Sequence, residues 1–116
     1  MGATLNLLVL KTRQMDPLLT FYQALGIEFV QEQNGKGPVH YAARVGPTVF
    51  DVYPLVEGSA DSTTRLGFAV DDLEKVLAAL QSKEMPRDTP WGRCAAVRDP
   101  DGRSLELCQQ VGHDGV

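Results

Sequence analysis

The sequence predicts an α+β fold of two βαβββ modules, on three observations. The order strand, helix, three strands can be read twice along the chain. Each copy closes on a hairpin, turning at Val45-Gly46-Pro47 in the first and at Asp99-Pro100-Asp101-Gly102 in the second. Just after each turn an acid stands inside an apolar strand: Asp51 in Thr48-Val49-Phe50-Asp51-Val52-Tyr53, and Glu106 in Ser104-Leu105-Glu106-Leu107-Cys108. The two acids lie 55 residues apart, close to half of the 116. A carboxylate flanked by apolar residues is costly to bury without a partner. The repeat therefore marks a polar site in each copy as well as a duplication.

Residues 5–11 read as the first strand, rich in Leu and Val. Asp16 is placed to cap a helix with Pro17 at its first position. Leu18, Leu19, Phe21, Tyr22 and Leu25 follow at helical spacings, and Gly26 ends the helix. A strand over 27–33 runs into the turn cluster Asn34-Gly35-Lys36-Gly37-Pro38. Strands 39–45 and 48–55 then form the first hairpin. In the second copy, 66–70 is a strand, and Asp71 or Asp72 caps a helix carrying Leu73, Val76, Leu77 and Leu80 on one face. Residues 85–91 hold two prolines and suit at most a short edge strand. Strands 93–98 and 103–109 are joined by the Asp-Pro-Asp-Gly turn. Module one is assigned to 1–57 and module two to 62–111, within a single domain, and the tail from Gly112 is expected to fray. Neither copy buries enough apolar surface alone. Each helix is expected to cover one face of its sheet, leaving the other to curve into a cup.

An apolar fraction of 43% and a charged fraction of 22% are those of a soluble globular chain. The net charge of −4 argues against nucleic acid, which needs a basic face. Arg87, Arg93, Arg98 and Arg103 crowd the last third, but Asp88, Asp99, Asp101 and Glu106 accompany them, so this reads as a mixed surface. The apolar start is too short for a signal peptide and lacks a basic leader. No apolar run reaches the length of a membrane helix. The expectation is a cytoplasmic protein with no membrane partner. Cys94 and Cys108 have no metal spacing and are read as reduced strand residues.

Hairpin register assigns the faces, because opposed residues share one. Around Gly46-Pro47, Val45 opposes Thr48, Arg44 opposes Val49, Ala42 opposes Asp51 and His40 opposes Tyr53. Asp51 then shares its face with His40, Ala42, Arg44, Val49 and Tyr53, while Phe50 turns to the helix. With a four-residue turn over 99–102, Val97 opposes Ser104, Ala95 opposes Glu106 and Arg93 opposes Cys108, so Glu106 lies beside Arg93. A slip of one residue would reverse these faces.

Leu19-Thr20-Phe21-Tyr22-Gln23-Ala24-Leu25-Gly26, Gly67-Phe68-Ala69-Val70-Asp71-Asp72-Leu73 and Asp99-Pro100-Asp101-Gly102-Arg103-Ser104-Leu105-Glu106-Leu107 resemble the vicinal oxygen chelate superfamily. That group includes glyoxalase I, bleomycin-resistance proteins, fosfomycin-modifying enzymes and extradiol dioxygenases. The resemblance spans nearly the whole chain. It implies paired βαβββ modules, a homodimer and, in the metal-dependent members, a divalent metal held from the first and fourth strands of each module. The corresponding positions here are Leu7 (Asn6 if the register slips), Asp51, Arg65 and Glu106. This departs from the family's metal enzymes. Leucine offers no lone pair, and arginine only donates. No cofactor is therefore expected, and a metal, if bound, would need a rearranged set of His40, Asp51 and Glu106.

Asp51 and Glu106 are the candidate catalytic acids. The plainer reading pairs Glu106 with Arg93 or Arg65, and Asp51 with His40 or Arg65. Arg65 suits a planar anion by bidentate contact. His40, Tyr53, Trp91 and Arg93 are further candidate ligand-binding residues, with Trp91 alternatively at a dimer seam. No Ser-His-Asp or Cys-His constellation is present for nucleophilic catalysis, since His40 is the only histidine before the tail. Three functions follow: a metal-free protein binding a small organic molecule, an anion being one candidate class; a lyase, isomerase or dioxygenase of the glyoxalase type with the rearranged metal set; or a non-catalytic accessory or regulatory module.

Overall fold

The computed structural model describes residues 2–111. In the first module, β1 (Leu7–Thr12) leads to α1 (Met15–Gln23), then β2 (Val30–Glu32), β3 (His40–Val45) and β4 (Thr48–Pro54). The second repeats the order with β5 (Leu66–Val70), α2 (Leu73–Ala79), β6 (Arg87–Thr89), β7 (Gly92–Arg98) and β8 (Ser104–Gln109). The sheets run β1-β4-β3-β2 and β5-β8-β7-β6. In each, the first and last strands of the module pair in parallel and the rest are antiparallel. The α+β architecture of two βαβββ modules is as the sequence predicts. The chain divides into two compact units between Asp61 and Ser62. The tail from Gly112, expected to fray, lies outside the described residues, as does His113. Among the described residues no helix is long and apolar enough to cross a membrane.

Helix α1 starts two residues earlier than a cap at Asp16 predicts. Gln14 occupies the cap position and makes no side-chain cap bond. Its N–H instead donates to Thr12 Oγ1 at 3.0 Å. Asp16 falls in the first turn, where a negative charge still meets the positive end of the helix dipole. Pro17 misleads because any first-turn position tolerates a residue without an N–H. Gly26, at φ +96°, takes the left-handed conformation that stops the chain after α1. In α2 the choice between two caps resolves to Asp72, whose Oδ1 accepts from Lys75 N at 3.1 Å. Gln109 on β8 stitches this helix start to the sheet. Its Oε1 accepts from Leu73 N at 2.8 Å, and its amide donates to the Asp71 carbonyl.

Strand alternation separates the two faces of the first sheet. Leu10, Phe50 and Val52 are buried together with Leu18, Leu19 and Tyr22 of α1. The Tyr22 ring meets Phe50 edge-on, with centroids 5.2 Å apart. The opposite face leaves Leu7, Val9 and Val30 exposed. In the second module Leu105, Leu107, Ala95 and Val97 are buried, as are Leu73, Val76 and Leu77 of α2.

The first hairpin has the expected register: Val45 opposes Thr48, Arg44 opposes Val49 and Ala42 opposes Asp51. The second is shifted by one residue. Val97 opposes Leu105, Ala96 opposes Glu106 and Cys94 opposes Cys108. The cause lies in the turn. Asp99 and Arg103 are still joined by a backbone bond, Asp99 N to Arg103 O at 2.9 Å. The loop is therefore Pro100-Asp101-Gly102, closed by Gly102 N donating to Asp99 O at 2.9 Å, with Gly102 at φ +92°. This is the three-residue hairpin loop in which a type I turn is followed by a left-handed residue. The faces reverse accordingly, and Arg93 is not beside Glu106.

Two further expectations are corrected by this shift. Cys94 and Cys108 are not reduced: they form a disulfide, with Cα atoms 4.1 Å apart. Directly opposed residues in a non-hydrogen-bonded antiparallel pair come close enough for such a bridge. Arg103 does not belong to a mixed surface either. It is 1% exposed, with Nη1 3.0 Å from both Asp99 Oδ2 and Asp101 Oδ2. Burial draws its pKa down, but the hydrogen bonds and charges of Asp99 and Asp101 more than reverse this, so it stays charged.

Candidate functional site

Each sheet carries one of the two acids on the face away from its helix. In the first module, β4 presents Asp51 and Tyr53 there, and β3 presents His40, Ala42 and Arg44. His40 is 1% exposed. Its Nδ1 lies 3.2 Å from the Pro38 carbonyl. Nε2 lies 3.4 Å from Glu32 Oε1, and the ring stacks flat on Tyr53 with centroids 4.1 Å apart. Glu32 is a site residue the sequence reasoning missed. The antiparallel pairing of β2 and β3 sets it opposite His40. The glycine-rich connection between those strands left their register undetermined by turn chemistry alone.

Asp51 is half-buried, and its Oδ1 is shut from solvent without a hydrogen-bond partner among the described residues. Burial pushes its pKa above the ordinary value, helped by the negative charge of Glu32 and opposed by His40. A carboxyl whose folded pKa is raised holds its proton more tightly than in the unfolded chain. Its contribution to stability is thus complete below the ordinary value of 3.8 and is lost as pH rises through the folded pKa. Asp51→Asn should therefore raise the melting temperature at pH 7, with the gain shrinking as the pH is lowered towards 4. Thermal melts across that range check it. A gain that grows on acidification would be inconsistent with the buried, under-bonded carboxylate.

A cavity of about 500 Å³, open to solvent, is lined by Val30, Ala42 and Val49 together with Glu28, Glu32 and Arg44; Asp51, His40 and Tyr53 are not among its walls. Ala42 sits opposite Asp51. Of the predicted residues, the first module thus gathers Asp51, His40 and Tyr53.

In the second module Glu106 does not pair with arginine. It accepts from the Trp91 indole, Nε1 to Oε1 at 3.0 Å. Trp91 is 65% exposed, held in the connection between β6 and β7 by Thr89. There Thr89 Oγ1 accepts from Trp91 N at 3.2 Å and donates to Gly92 O at 2.6 Å. Arg93 turns to the helix side and meets Glu74 of α2 at 3.0 Å, a pair exposed enough to contribute little. Arg65 is exposed just before β5 and has no ion-pair partner in its own module among the described residues.

The donor set of the family's metal enzymes is not present on the first strands. The β1 residue paired with Asp51 is Val9, with Leu7 paired to Val49. The β5 residue paired with Glu106 is Gly67. None of these side chains carries a donor atom, and Arg65 cannot ligate a cation. Of the conditional metal set, His40 and Asp51 belong to one module and Glu106 to the other, and His40 Nε2 faces Glu32.

Two tandem βαβββ modules, each with an acid on its open sheet face, define a class of small α+β proteins. Residues 4–107 match the model of the Glyoxalase/Bleomycin resistance protein/Dioxygenase superfamily. The chain belongs to that superfamily. No curated protein matches the sequence. Among solved structures it is similar to TnmS3, an antibiotic binding protein from Streptomyces sp. CB03234, at 23% identity and TM-score 0.72, covering 95% of this chain and 98% of that one. A glyoxalase/bleomycin resistance protein from Streptomyces sp. CB03234 is similar at 24% identity and TM-score 0.67, covering 91% and 100%. Oxidase ChaP-H2 is similar at 18% identity and TM-score 0.70, covering both chains in full. At these identities the likeness concerns the fold.

Proposed function

We propose that the protein binds a small organic molecule on the open face of the first module, without the metal used by the superfamily's metal enzymes. The observation that carries this reading is the orphaned Oδ1 of Asp51 on the sheet face where its cross-strand neighbour Ala42 lines an open cavity of about 500 Å³. A buried acceptor without a partner calls for a donor, and the cavity falls within the size range of small-molecule sites. Its charged lining is two acids and one base, Glu28, Glu32 and Arg44. With Asp51 added, the local charge favours a ligand rich in N–H or O–H donors over the anion that Arg65 suggested. Tyr53, backed by His40, supplies a flat aromatic surface. The raised pKa of Asp51 also equips it to take a proton from a bound ligand with an acidic C–H or O–H. The antibiotic binding described for TnmS3 is in keeping with this reading.

Thermal-shift screening with aromatic amines, antibiotics, thiol conjugates and organic acids, followed by calorimetry, tests it. A donor-bearing ligand should raise the melting temperature. Asp51→Asn should weaken its binding by roughly 10- to 100-fold if the contact is a charge-assisted hydrogen bond. Preferential binding of organic acids, or an unchanged affinity in Asp51→Asn, would exclude the site. The reading keeps the homodimer and the cytoplasmic location expected from the sequence. Sedimentation at micromolar concentration distinguishes a dimer from a monomer.

A further inference from the structure

The second module holds a cluster that the ligand-binding reading does not use. Cys94 and Cys108 lie directly opposite each other on β7 and β8, and Glu106 is two residues from Cys108 on the same face. Among the described residues, Cys94, Glu106 and Cys108 bring their ligand atoms within 4.8 Å of one another. Cys108 Sγ is 3.7 Å from Glu106 Oε1, and Thr89 Oγ1 is 3.7 Å from Cys94 Sγ. The Trp91 indole orients the carboxylate. Cys94 is buried, while Cys108 and Glu106 are half-buried, so the cluster is walled on one side and open on the other.

We propose that this cluster is a redox-gated zinc site, closed by the disulfide and formed when it is reduced. Reduction by a dithiol adds two electrons and two protons. The S–S bond breaks, Cys94 and Cys108 become thiols, and the reductant leaves as its own disulfide. Zn²⁺ then displaces both thiol protons to solvent and takes two thiolates and the Glu106 carboxylate. Ligand atoms around a tetrahedral zinc with bonds of ~2.0–2.3 Å lie roughly 3.3–3.8 Å apart, a spacing that the freed sulfurs reach with small side-chain rotations. The fourth position, on the open side, falls to water. Thiolates select a soft or borderline ion over Mg²⁺ or Ca²⁺. Trp91 is a positioning residue, fixing the Glu106 oxygen through its N–H. The donors come from the third and fourth strands of one module, so this site is separate from the first-strand positions that Leu7 and Arg65 leave without ligands.

Cobalt and zinc titrations of the full chain test the proposal. The oxidised protein should bind neither ion. After reduction and removal of the reductant under argon, one cobalt per chain should bind with a thiolate charge-transfer band, and zinc should displace it. Cys108→Ser should abolish the band. Glu106→Gln retains the disulfide and fold, and should weaken zinc at least about 10-fold in competition with a chromophoric chelator. Trp91→Phe should weaken it by about 10- to 100-fold, as loss of a ligand-orienting bond does. Equal metal binding by oxidised and reduced protein, a reduced protein without the thiolate band, or a Glu106→Gln affinity equal to wild type would each overturn it.

Discussion

Asp99→Ala is expected to lower the unfolding free energy by about 3–5 kcal/mol, the cost of removing one partner from a buried ion pair. Two structural roles are lost at once. Asp99 Oδ2 is a counter-charge 3.0 Å from the buried Arg103 guanidinium. Its Oδ1 accepts the N–H groups of Asp101 and Arg103 at 2.9 and 3.0 Å, holding the three-residue loop in shape. Asp99→Asn separates the two roles. It keeps an oxygen for the backbone donors and loses the charge, so it should cost less than Asp99→Ala. Arg98→Ala is the surface control, since its exposed Nη1 bond to the Gly102 carbonyl is peripheral. Urea unfolding of the three variants reads the order directly. Equal small losses for all three would mean that Arg103 is hydrated and not held in a buried pair.

Removing the disulfide is expected to cost about 3 kcal/mol on the chain-entropy account, for a closed loop of this length. Cys94 and Cys108 are 14 residues apart, and the bridge restrains the hairpin in the unfolded chain. The Cys94→Ala, Cys108→Ala double variant should melt lower than the oxidised wild type. Adding reductant should lower the wild type to a similar point and leave the variant unchanged. A thiol reagent should find no reactive sulfur in the native oxidised chain and two after denaturation and reduction. Two reactive thiols before reduction would contradict the bridge. The comparison is made without metal, because zinc bound to the reduced form would restore stability by mass action.

The two hairpins show how far turn chemistry carries a reading. Gly46-Pro47 leaves room for a two-residue loop only, so the pairing of Ala42 with Asp51 follows from the residues. Asp-Pro-Asp-Gly admits either a four-residue loop or a three-residue loop with Gly102 left-handed. That one choice decides whether Arg93 or Cys94 joins the face that Glu106 and Cys108 share on β8. The first face predicts an ion pair, the second a disulfide beside an acid and a tryptophan. Local preference does not separate them by much. The burial of Ala95 and Val97 beside Leu105 and Leu107, and of Arg103 beside Asp99, selects the second.

What the sequence by itself determined was the duplicated βαβββ order, the superfamily, and the place of Asp51 and Glu106 as paired acids in apolar strands. These rest on periodicity and turn residues, which act locally. Only the tertiary structure decided which partners the acids meet: Glu32 acting on Asp51, Trp91 bonded to Glu106, Arg93 withdrawn to Glu74, and the cysteines joined. Each of those depends on the register of neighbouring strands, which the residues of the connecting turns leave open. A slip of one residue turns every side chain of a strand to the opposite face.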